Sequence, residues 1–400
     1  MTARRQMAWW GLAALLSLVL VSALAVWQSR QVARARAVHV ASTPAAGSVI
    51  FRNKGCAACH GATGGGTDSG PALRQTKSLS TLPRLVSAMW NHAPRMWQAM
   101  EARQLPYPTF SYEETAQLVT YLYISGYADN NGDSVRGAKL YEDRGCAQCH
   151  SSNAEERIAF LSGADDPLTW TQTLWNHGSV MHARMNAMGI SWPKFQASDL
   201  RDLHAYVRQV SDSPPLDPPD ISGDPDRGWN TFQQKGCIRC HALSSEPART
   251  GPSLGPERQL PPTFTEFGAA LLNHFPQMQK AVHSEDIQLP RLDGSDISDI
   301  AVFLYSLHYL EPSGSPQVGK SIFGWRGCNR CHGDDAQGTL EAPALRGRGQ
   351  TYTSIRLATD LWRHGARMYH NSANSGQQWP VLQESEIGHL LTFLNTSPEQ

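Results

Sequence analysis

Charge is scarce in this chain. Only 18% of its 400 residues are charged, and 35 basic side chains cancel 35 acidic ones. A net charge of zero removes the electrostatic case for nucleic acid or for a polybasic membrane arm. Cysteine is limited too. There are eight, all inside four pentapeptides, so none is left over for a disulfide framework elsewhere. Kinase, cyclase and DNA-binding patterns are missing, which leaves little for a sensor reading. The one long uncharged apolar run is Met7 to Trp27. At 40% hydrophobic the chain is too apolar to be disordered, and its length fits two to four domains.

The four pentapeptides are Cys56-Ala57-Ala58-Cys59-His60, Cys146-Ala147-Gln148-Cys149-His150, Cys237-Ile238-Arg239-Cys240-His241 and Cys328-Asn329-Arg330-Cys331-His332. A C-x-x-C-H run reads as a c-type haem attachment site. On a helix, positions i, i+3 and i+4 share a face. Two thiols can then meet the two vinyl groups of one porphyrin while the imidazole reaches the iron. A zinc site, a redox dithiol and a structural disulfide are the alternatives, and none of them needs a histidine directly after the second cysteine. The reading is four covalently attached haem c groups, held by Cys56, Cys59, Cys146, Cys149, Cys237, Cys240, Cys328 and Cys331. His60, His150, His241 and His332 are the iron ligands on one side.

The motifs are 90, 91 and 91 residues apart, and the likeness extends beyond them. A short helical segment precedes each motif. Its last residue is a glycine (Gly55, Gly145, Gly236, Gly327), read here as letting the porphyrin edge approach the backbone. A Pro-containing loop follows in three copies, at Pro71, Pro252 and Pro343, and is expected to supply a carbonyl to the motif imidazole. The second copy has only Ser151-Ser152-Asn153-Ala154 there, so that expectation does not extend to it. Next come Trp90-Asn91-His92, Trp175-Asn176-His177, Leu272-Asn273-His274 and Trp362-Arg363-His364, each with a methionine four residues after the histidine. Each copy closes with an amphipathic helix, with caps expected at Ser111, Ser198, Ser295 and Ser385, that should pack on the first helix of the copy. The proline-rich stretch 211–220 reads as a stiff spacer, which suggests two halves, copies one with two and three with four.

The sixth iron ligand decides the chemistry. Methionine opposite histidine raises the potential and leaves no open position. Met96, Met181, Met278 and Met368 are the aligned candidates, and Met278 and Met368 are the sole methionines of their copies. The rivals are His92, His177, His274 and His364, which share the methionine's helical face and would lower the potential. The sequence reading favours methionine, because a neutral thioether suits an apolar pocket.

Met7 to Trp27 spans 21 residues, about 32 Å as a helix, enough for a bilayer core of about 30 Å. Residues 1–44 carry five arginines and no acid, on both sides of that run, so charge alone does not orient it. Haem attachment outside the bacterial cytoplasm does, placing the remainder in the periplasm. A retained single-pass inner-membrane anchor is favoured over a cleaved signal peptide, for which Ala23-Leu24-Ala25 offers a site. Residues 217–311 carry net charge −6 (seven basic, thirteen acidic), read as a solvated acidic surface.

These features resemble class I c-type cytochrome domains. The likeness rests on the helix-Gly-Cys-x-x-Cys-His opening, the Gly-Pro loop, the downstream methionine and the closing aromatic helix. It implies an all-α fold of four consecutive cytochrome c-like domains after one N-terminal transmembrane helix. The boundaries are 1–44 for the anchor or signal segment and linker, then 45–130, 131–213, 214–311 with the Pro-rich linker, and 312–400. It implies one-electron transfer rather than catalysis, with His60, His150, His241 and His332 opposite Met96, Met181, Met278 and Met368. Implied partners are a redox protein donor and acceptor, drawn from a quinol-oxidising complex, a dehydrogenase or a terminal oxidase. The alternative is the haem subunit of a periplasmic dehydrogenase or terminal reductase complex. Photosynthetic tetrahaem cytochromes fit less well because their distal methionines precede the motifs, and quinol-oxidising tetrahaem cytochromes because their motifs lie closer together. Four units of about 12 Å radius of gyration in a row would make a wire of roughly 100 Å.

Overall fold

The computed structural model describes residues 43–74, 79–129, 131–150, 166–196, 198–211, 223–243, 250–256, 258–309, 311–347, 349 and 351–396. The apolar run Met7 to Trp27, the loop after His150 and most of the proline-rich stretch lie outside them. Among the described residues no helix is long and apolar enough to cross a membrane. They are helical apart from turns, loops and an isolated bridge between Thr67 and Gly70.

The helices recur in four sets along the chain. The first is α1 (Pro44–Asn53), α2 (Ala57–His60), α3 (Leu82–Ala102) and α4 (Tyr112–Ser125). The second is α5 (Ser134–Asp143), α6 (Ala147–His150), α7 (Pro167–Ala187) and α8 (Asp199–Val210). The third is α9 (Pro225–Gln234), a 3-10 turn at Cys237–Arg239, α10 (Phe264–Ser284) and α11 (Asp296–Ser306). The fourth is α12 (Pro316–Trp325), α13 (Asn329–His332), α14 (Ser354–Asn374) and α15 (Glu384–Asn395).

In every set the opening and closing helices cross in backbone contact, as the amphipathic pattern predicted. The close approach depends on Gly47, Gly137, Gly228 and Gly319, each nine residues before a motif. A Cβ there would fall 2.0 Å from the carbonyl oxygen of Gln117, Asp202, Asp299 or His389 on the closing helix. Aromatic pairs flank the crossing: Phe51 with Tyr121 at 5.5 Å, Tyr141 with Tyr206 at 5.3 Å, Phe232 with Phe303 at 5.8 Å and Phe323 with Phe393 at 5.4 Å.

The opening helices stop at Gly55, Gly145, Gly236 and Gly327, whose φ angles of +85°, +81°, +80° and +77° are left-handed. Ending the helix is therefore in itself a reason for glycine here. The basic residue just before each glycine reaches an acid at the start of the closing helix. These pairs are Lys54–Glu114 at 2.8 Å, Arg144–Asp199 at 2.9 Å, Lys235–Asp296 at 3.0 Å and Arg326–Glu386 at 2.7 Å. Each puts a cation at a helix C-terminus and an anion at an N-terminus, the favourable sense for both dipoles.

Capping agrees with expectation only at Ser111, which forms a capping box with Glu114. Ser198 and Ser295 make no side-chain cap bond, and Ser385 lies inside α15. In those sets an acid in the first turn bonds a backbone N–H lying before the helix. Gln196 N donates to Asp199 at 3.0 Å, Asp293 N to Asp296 at 2.8 Å and Gln383 N to Glu386 at 2.7 Å.

The sets do not pair as the proline-rich spacer suggested. The long helices α3 and α14 pack together, as do α7 and α10, so set one joins set four and set two joins set three. Sets one and three also meet. The rings of Tyr127 and Tyr305 lie 4.3 Å apart, the Tyr123 hydroxyl donates to the Tyr305 carbonyl at 3.0 Å, and Thr265 N donates to Asp129 at 3.0 Å. These cross-contacts fold the row back on itself and rule out an end-to-end wire. Linker composition reports stiffness, whereas the sticky surfaces are the long helices and the loops after them.

Candidate haem-binding sites

Each motif forms one tight turn in which the histidine N–H donates to the carbonyl of the first cysteine. The distances are 2.9 Å for His60 to Cys56 and 3.0 Å for His150 to Cys146, His241 to Cys237 and His332 to Cys328. Thiol and imidazole thus share one face. All eight cysteines are free and half-buried. Burial pushes the thiols of Cys56, Cys146, Cys237 and Cys328 up to about 11. A redox dithiol needs the opposite shift.

The motif imidazoles are oriented by the loop that follows. Nδ1 of His60, His241 and His332 each donates at 2.9 Å to the carbonyl of Pro71, Pro252 and Pro343. Spending Nδ1–H on a carbonyl leaves Nε2 as the free lone pair, the arrangement that aims and strengthens a metal-bound histidine. The loop comes very close. A Cβ on Gly70 would sit 3.2 Å from His60 Nδ1, and one on Gly251 would sit 2.8 Å from His241 Nδ1. In sets one and four a threonine locks the same loop, Thr67 and Thr339 donating to the carbonyls of Cys59 and Cys331 at 2.5 and 2.6 Å.

A second imidazole stands opposite the first. Ring centres are 6.4 Å apart for His60 and His92, and 6.2 Å for His150 and His177 and for His241 and His274. Burial, and then the facing motif imidazole, holds His92, His177 and His274 below the usual histidine range, so each stays neutral at physiological pH. His364 holds the aligned position on α14. Met96, Met181, Met278 and Met368 lie one turn further along the same helices and are half-buried.

The residue before each of these three histidines is an asparagine bonded through both ends of its amide to another set. Asn91 donates to Leu382 O at 2.8 Å and accepts from Leu382 N at 2.9 Å. Asn176 does the same with Leu292 at 2.6 and 2.9 Å, and Asn273 with Phe195 at 2.7 and 2.8 Å. Arg363 replaces asparagine in set four and donates to Phe110 O at 3.3 Å. Sequence reasoning passed over these asparagines. It also passed over the match between prolines and tryptophans. Pro94 and Pro276 have no N–H for the carbonyls of Trp90 and Leu272, four residues earlier. Those two carbonyls accept instead from the indoles of Trp379 and Trp192, at 3.0 and 2.9 Å.

A facing pair of imidazoles, one tied to a carbonyl, beside two adjacent thiols, is a donor set that fits a covalently held haem. Residues 44–123 and 134–211 match the family model described as Cytochrome c, a family that implies covalently bound haem c. No curated protein and no solved structure matches the chain. Over those two segments, which hold the first two C-x-x-C-H turns and their facing histidines, the chain is similar to the Cytochrome c family.

Proposed function

We propose that the whole chain is an exported tetrahaem cytochrome that carries electrons one at a time between a membrane or periplasmic donor and an acceptor. Four cytochrome c domains, at about 45–130, 131–213, 214–311 and 312–400, follow an N-terminal anchor within residues 1–44, at the periplasmic face of a bacterial inner membrane. The observation that carries this is the geometry of the third and fourth motifs. His241 and His332 donate to proline carbonyls at 2.9 Å, as His60 does within the segment matched to the family. Bound haem supplies a reversible one-electron couple. The chain holds it through thioethers, fixes the proximal ring with a carbonyl and excludes water with the long and closing helices. Exchange between haems is expected across the two tight interfaces, set one with four and set two with three. Stepwise reductive titration of the purified protein tests this. Four electrons per chain and no binding of carbon monoxide are expected. Two electrons per chain would remove the tetrahaem reading, and stoichiometric carbon monoxide binding would favour a catalytic haem subunit.

A further inference from the structure

Two iron–nitrogen bonds of about 2.0 Å, with about 1.1 Å from each bonded nitrogen to its ring centre, put two axial imidazoles about 6.2 Å apart. The three facing pairs stand at 6.4, 6.2 and 6.2 Å, with interplanar angles of 60°, 59° and 61°. Three separate stretches of sequence thus hold their rings at the same separation and tilt. That separation matches the one expected of two imidazoles bound to a single iron. The aligned methionines sit one helical turn away, about 6 Å along the axis.

From this we infer that His92, His177 and His274 are the distal iron ligands of the first three sites, in place of Met96, Met181 and Met278. The inference rests on haem being bound at these motifs, and it departs from the histidine–methionine pairing of the family the chain resembles. The asparagine before each histidine is a positioning residue. Its amide, bonded at both ends to a loop of another set, fixes the helix where the imidazole leaves it. Ligation in one set is thereby tied to assembly with another. Set four, where arginine replaces asparagine, is left out of the assignment.

Site three is the place to test it, because Met278 is the sole methionine of residues 214–311. The test uses the full-length haem-loaded protein and its Met278→Leu and His274→Ala variants. The oxidised wild type should show a methionine–iron charge-transfer band no stronger than one haem gives. Met278→Leu should leave the spectrum unchanged. His274→Ala should open one site, giving one carbon monoxide bound per reduced chain. A methionine band worth two or more haems, or carbon monoxide binding opened by Met278→Leu and not by His274→Ala, overturns the assignment. If His274→Ala fails to fold, the wild-type band and the Met278→Leu spectrum still decide. Peptide mass mapping separates this from the broader reading: unmodified Cys237 and Cys240 would remove haem from the site altogether, whereas haem there with a methionine band removes only the histidine assignment.

Discussion

At the scale of single residues, the least obvious feature is the trade between Pro94 and Trp379, and between Pro276 and Trp192. A proline inside a helix leaves the carbonyl four residues earlier without its partner, and an unsatisfied buried carbonyl costs about 1–3 kcal/mol. Here a tryptophan from another set supplies the donor. Trp379→Phe is expected to lose about 1–3 kcal/mol of stability. Adding Pro94→Ala should recover much of it, because the helix then bonds its own carbonyl. Denaturant unfolding of the two singles and the double measures this, and strictly additive losses would contradict the coupling. Both residues of each pair stood in plain view in the sequence. What concealed their relation was distance along the chain: Trp379 and Trp90 are 289 positions apart. The local features were readable, including the motif turn, the proline carbonyl on the motif imidazole and a histidine sharing the methionine's face. The choice between that histidine and the methionine was not. Both follow the same helical period, and the inference in favour of the histidine rests on the ring separation.

Two recurring devices operate at the scale of helices. The glycine nine residues before each motif lets the opening helix lie against the backbone of the closing one. Gly228→Ala forces the pair apart and is expected to cost about 1–3 kcal/mol or more, read as a lowered melting temperature. A glycine substitution at an exposed helical site serves as the control. The sequence held this signal in four copies, but a glycine inside a short helix is ordinarily a weak helix former, and its use shows only when the partner backbone is seen. The second device is the charged clasp of set two. Burial alone would raise Asp199 and Asp202. The backbone N–H groups of Gln196 and Asp133, and then Arg136, outweigh it and hold both below the ordinary 3.8. A depressed carboxyl stabilises the fold above its unfolded value and loses that contribution as pH falls through the folded one. Stability should therefore drop below about pH 4, and Arg136→Met should lessen the drop. An unchanged acid limb in the variant would assign the effect to other carboxylates.

The whole molecule departs furthest from what its linkers suggested. Stiff proline-rich residues favoured neighbours pairing along the chain, yet the long helices pair set one with four and two with three, while Tyr123, Tyr127 and Tyr305 join one to three. Composition does not reveal such contacts because each interface is built from residues that also look like ordinary core. The arrangement makes folding of the sets interdependent. A chain ending before set four would expose the α3 face that carries Trp90 and Trp97, and it should be less stable than the full chain and prone to association, as light scattering would report. We propose that all four motifs carry haem, including the two beyond the segments matched to the cytochrome c family. The most direct test is the intact mass of the exported protein under denaturing conditions. The expected mass is that of the polypeptide plus four covalently attached haems, and a mass corresponding to two would contradict the tetrahaem reading.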